Sequence, residues 1–156
     1  MNYATYTNSD SRRTRVLAKA LASVVLLTVF CAGGASYAQT PSDGQHYLKY
    51  VDQDIDLVFK NDPGLKRRVQ TLLGSSYSTF MARMETTGGA DKVQNFVVFK
   101  GCKAHHCGLD EAYLLLDINS GKIYAAIYSN GAKTPKTFSD NPSDFPSKVL
   151  DSLRQH

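Results

Sequence analysis

Three apolar runs in the middle of the chain restrict its fold more than any other feature. Residues 93–100 are rich in Val and Phe, and residues 112–118 and 122–128 in Leu, Ile, Ala and Tyr. In the first run Phe96, Val97, Val98 and Phe99 are apolar at consecutive positions, as in a central strand covered on both faces. Asn119-Ser120-Gly121 joins the second run to the third as a hairpin turn, and Ser129-Asn130-Gly131 leads to a short strand at 136–139. An antiparallel meander is the arrangement these spacings predict.

Helical patterns flank the meander. Leu48, Val51, Ile55 and Val58 recur at helical spacing and predict a helix over 45–60. Asn61-Asp62-Pro63-Gly64 interrupts it. Asp62 is placed to cap a second helix with Pro63 at its first position, Leu65, Val69, Leu72 and Leu73 on its apolar stripe and Gly74 at its end. Tyr77, Phe80, Met81 and Met84 suggest a third helical turn or two before the turn at Thr87-Gly88-Gly89. At the far end Ser143 or Asp144 can cap a closing helix that carries Phe145, Val149, Leu150 and Leu153. The order is helices, meander, helix, with no internal repeat and no low-complexity tract. One α+β domain is expected.

The beginning of the chain belongs to a different class of segment. Arg12, Arg13, Arg15 and Lys19 lead into the apolar run 20–32, and small residues follow to Ser36-Tyr37-Ala38. This is the layout of an export signal, with cleavage expected after Ala38, so that residues 1–38 are the signal peptide and 39–156 the domain. A retained membrane anchor is the alternative, because no charge falls between Lys19 and Asp43. Either way the domain is delivered outside the cytoplasm, with the periplasm as the default. The formal charge of +4 shrinks accordingly: of 18 basic and 14 acidic residues, the segment takes four and one, leaving 14 against 13. A domain at +1 without a basic stripe is not built for nucleic acid.

Without the signal and its Cys31, Cys102 and Cys107 are the remaining cysteines. In an oxidising compartment they should pair. Their C-x4-C spacing is wider than a thioredoxin-type C-x-x-C, and the ring is too small to remove much unfolded-state entropy, about 2 kcal/mol. Its stronger effect is to hold one tight projection in one shape, which reduces the entropy lost on entering a partner. Inside the ring stand Lys103, Ala104, His105 and His106. Three uses fit these residues. A cationic, hydrogen-bond-donating projection suits a cleft lined by paired carboxylates, such as that of a glycoside-cleaving enzyme. The histidines and cysteines are zinc-ligand types, although oxidation consumes both thiolates and adjacent histidines point apart. The bridge can also simply trim a turn and leave the histidines solvated. There is no G-x-S-x-G elbow, H-E-x-x-H, P-loop or unpaired catalytic cysteine, so an enzyme is not expected.

The run Cys102-Lys103-Ala104-His105-His106-Cys107-Gly108, after an apolar strand in a small exported protein, resembles the bacterial inhibitor of vertebrate lysozyme family, Ivy. Members carry a disulfide-bridged C-K-P-H-D-C loop that plugs the cleft of c-type lysozymes. The resemblance implies a three-layer fold, with a meander of about five strands between helices on both faces, and no cofactor. It makes Cys102 and Cys107 the bridge, His105 the histidine that reaches the catalytic acids, and Lys103 its basic neighbour. Ala104 stands where the family has Pro, which removes a backbone restraint. His106 stands where it has Asp, exchanging an acceptor for a donor. The implied partner is a c-type lysozyme. A non-inhibitory relative that binds a metal or another protein, such as a bacterial lytic transglycosylase, through the same loop is the alternative, and the resemblance also allows a homodimer.

Overall fold

A computed structural model describes residues 43–154. The expected signal peptide therefore lies outside the described residues, and no helix among them is long and apolar enough to cross a membrane.

The second expected helix forms as its sequence dictates. Helix α2 (Pro63–Leu73) starts at Asp62, whose Oδ1 accepts the Leu65 N–H at 2.8 Å, and it ends at Gly74 with φ 53°. Tyr50 donates its hydroxyl to the other oxygen of Asp62, and this bond, with the Leu65 N–H, holds that carboxyl below the usual carboxylate range. Helix α3 (Tyr77–Ala82) follows a 3-10 turn at Gly74–Ser76.

The first expected helix does not form as one piece. A 3-10 turn, Gln45–Tyr50, is followed by a break, and helix α1 spans only Ile55–Asn61, capped by Asp54 accepting the Asp56 N–H. The break has a tertiary cause. The backbone of 51–53 is drawn to Ala90, with Asp52 N–H donating to the Ala90 carbonyl at 2.8 Å and Ala90 N–H to that of Gln53 at 3.0 Å. Asp52 then takes φ 65°, which no helix accommodates. The buried residues of the 3-10 turn are Tyr47 and Tyr50, whereas Leu48 and Val51 only pack against the core.

The strands are β1 (Thr86–Thr87), β2 (Asp91–Val93), β3 (Phe96–Cys102), β4 (Glu111–Asp117), β5 (Ile123–Ile127) and β6 (Lys136–Phe138). They form an antiparallel sheet in the order β1-β3-β4-β5-β6, with β2 also paired to β3, so six strands replace the expected five or so. The expected strand 93–100 in fact reverses. Val93 ends β2, the chain turns at Gln94 (φ 52°) and Asn95, and Phe96 pairs back with Val93.

Period-two alternation assigns the central strands to two cores. Val97, Phe99, Leu114, Leu116, Ile123 and Ala125 pack under the N-terminal helical layer with Ile55, Val69 and Phe80. Val98, Tyr113, Leu115, Tyr124 and Tyr128 face the opposite side, covered by Val149 and Leu150 of helix α4 (Ser147–Arg154). Helices thus lie on both faces of the sheet, as the resemblance implied. The closing helix starts later than expected. Asn141, not Ser143 or Asp144, caps a 3-10 turn at Pro142–Asp144, and Pro146 keeps Phe145 extended (ψ 128°), outside the helix but against the second core.

Candidate functional site: a bridged finger between two central strands

Strands β3 and β4 stay in register to their last pair, Cys102 opposite Glu111, and Lys103 N–H adds one more bond to the Asp110 carbonyl at 3.0 Å. What lies between is a finger of chain standing at the end of the sheet. Cys102 and Cys107 are joined by a disulfide with their Cα atoms 5.0 Å apart. Inside the ring His106 N–H donates to the Lys103 carbonyl at 2.9 Å. Positive φ falls at His105 (62°) and not at Ala104, which makes residues 103–106 a type II turn with His105 at its third position. Beyond the ring the N–H groups of Leu109 and Asp110 both return to the His106 carbonyl, and Gly108 supplies φ 88° where a side chain would be strained.

Lys103, His105 and His106 are exposed and Ala104 is half-buried. The two histidines differ in their bonding. His105 makes no side-chain hydrogen bond among the described residues, so its ring faces solvent from the corner of the turn. His106 Nδ1 lies 3.5 Å from Oδ2 of Asp110, a contact within the finger itself. The structure thus gathers all four ring residues on one projection and separates them into a presented imidazole and an internally paired one.

The residues that hold the finger were not legible in the sequence. Asp110 is buried, with 8% of its surface exposed, and its Oδ1 receives the Asn130 N–H and an Arg83 nitrogen, each at 3.2 Å. The Asn130 N–H, with Arg83 and His106 nearby, holds the Asp110 carboxyl below the usual carboxylate range despite its burial. Arg83 also donates to the Tyr128 carbonyl and to Ser129 Oγ, while Glu85 accepts the Ala104 N–H at 3.4 Å. At the start of β4, buried Glu111 accepts the Tyr113 hydroxyl and lies 3.6 Å from Arg154, whose guanidinium stacks 3.9 Å from the Tyr128 ring centre. The one sequence signal for these partners is the acidic pair Asp110-Glu111 directly before an otherwise apolar strand.

Among the described residues no group of three or more His, Cys, Asp or Glu is arranged to hold a metal. A cleft of about 720 Å³ is lined by Arg67, Thr71, Ile123 and Asp140 among others and shares no residue with the finger.

The domain is an α+β fold with a core on each face of its sheet and a disulfide-closed finger between β3 and β4. The family model described as Inhibitor of vertebrate lysozyme (Ivy) matches residues 64–156, more than half of the chain, and the chain belongs to that family. The match covers all six strands, the finger and α4, and begins within α2. No curated protein and no solved structure gives a significant match.

Proposed function

We propose that this protein inhibits c-type lysozyme by inserting the 102–107 finger into the enzyme's cleft, with His105 against the catalytic carboxylates. The observation that carries this reading is the state of His105: exposed, set at the corner of a bridged turn, and without a side-chain hydrogen bond among the described residues. An imidazole between two acids can hydrogen-bond both, and its protonated form is favoured by their charge. Lys103 adds a second cation on the same finger. Family membership supports lysozyme as the target. In this reading residues 1–38 export the domain to the periplasm, where it protects the cell wall.

Lysis of cell-wall substrate by a c-type lysozyme, titrated with the mature domain, tests the proposal. Stoichiometric loss of lytic activity is expected. His105→Ala should weaken inhibition by about 30-fold or more, the scale of an interface hot spot, whereas His106→Ala should cost far less because that ring is turned toward Asp110. No inhibition at micromolar excess would instead favour an Ivy-like envelope protein with another partner, such as a lytic transglycosylase. Calorimetry with zinc checks the metal alternative in the same preparation.

A further inference from the structure

The disulfide explains the shape of the finger but not its direction. The ring it closes is attached to the sheet through Cys102 at the end of β3, and Gly108, Leu109 and Asp110 lie between the ring and β4. A glycine at φ 88° followed by an exposed leucine is a swivel unless something outside the ring fixes it.

Beside the backbone N–H groups of Asn130 and Gly131, the side chain that reaches this base from the end of α3 is that of Arg83. Of the four hydrogen bonds its side chain makes among the described residues, one returns to its own helical segment at the Thr79 carbonyl. The other three reach across to Asp110 Oδ1 (3.2 Å), Ser129 Oγ (2.8 Å) and the Tyr128 carbonyl (2.9 Å). Asp110 then grips the finger at three points: its carbonyl takes the Lys103 N–H, its N–H goes to the His106 carbonyl, and its Oδ2 faces His106 Nδ1. Both members of the Arg83–Asp110 pair are well covered, with side chains 14% and 12% exposed, so solvent competes little for the contact. The 128–131 loop is locked to the same unit, because Asn130 N–H binds Asp110 and Gly131 N–H binds the Leu109 carbonyl at 2.8 Å.

We propose that Arg83 is a positioning residue for inhibition: by joining the end of α3 to Asp110, the Tyr128 carbonyl and Ser129 Oγ, it sets the angle at which His105 is presented. The inference rests on the proposed function for its readout in affinity, but not for its readout in the free protein. Arg83 acts through His105 and does not itself meet the partner.

The test is a double-mutant cycle on lysozyme affinity, run beside amide exchange of the unbound domain. Arg83→Ala should lower affinity about tenfold in the parent and change it by less than about twofold when His105 is already alanine, while shifting the thermal midpoint equally in both backgrounds. In the free protein the His106, Leu109 and Asp110 amides should exchange about tenfold faster in Arg83→Ala with the bridge intact, and the Leu115 amide should not. Arg83→Lys, which keeps the charge but not the fork, should fall between, and it serves if the alanine variant does not fold. An affinity loss of the same size in both backgrounds would overturn the proposal, as would unchanged exchange at the finger. A parent that does not bind lysozyme would overturn the functional reading alone, and exchange would still decide the role of Arg83.

Discussion

Ala104 occupies the second position of the type II turn, the place where proline's fixed φ is best suited. Its N–H contributes only a long contact to Glu85, at 3.4 Å. Ala104→Pro should therefore restrict the unfolded and unbound chain more than it harms the folded one, a gain of about 0.4–1 kcal/mol. Inhibition should tighten a few-fold in the lysis titration, with a thermal midpoint equal to the parent's or slightly above it. A lower midpoint with weaker inhibition would show that the Glu85 contact matters more than the turn. His106 illustrates the opposite kind of change. An aspartate there would stand beside Asp110, whereas the imidazole Nδ1 meets that carboxylate at 3.5 Å. In this chain the position supplies a tie within the finger.

At the level of elements, the finger's support depends on how closely α3 approaches β3. A Cβ built at Gly101 would come within 2.7 Å of the Arg83 carbonyl oxygen and of Met84 Sδ, so the crossing requires glycine for space. Gly101→Ala should destabilise by about 1–3 kcal/mol through overpacking. The denaturant midpoint should fall, and the finger amides should lose protection beyond the global change because Arg83 is displaced with its backbone. An unchanged midpoint would mean that the 83–84 segment yields freely. Elements whose own residues decide them were legible: α2 from Asp62, Pro63 and Gly74, and β4 and β5 from apolar runs joined by Asn119-Ser120-Gly121. Elements decided by a distant partner were not. Ala90 takes the backbone that would have continued the first helix, and the reversal at Gln94-Asn95 carries no glycine or proline to announce it.

Across the whole molecule the bridge and the fold are separable. The two cores bury Phe99, Leu114 and Val69 on one side and Tyr113, Leu115 and Leu150 on the other, each less than 2% exposed or at 2%, and none depends on the cysteines. Closing so short a ring is worth about 2 kcal/mol against a typical domain stability of 5–15 kcal/mol. Titrating reductant should thus weaken inhibition while far-ultraviolet circular dichroism stays native, and unfolding should need further stress. Loss of both signals at one reductant concentration would contradict this ordering.

The sequence by itself determined the meander, the capped helix and the identity of the ring residues, because each follows from neighbours a few positions apart. Only the tertiary structure decided which histidine is tied within the finger and what meets the finger's base. Those contacts join Arg83, Asp110 and Asn130, residues far apart in the chain whose polar groups find one another only after the sheet and helices have brought them out of water together.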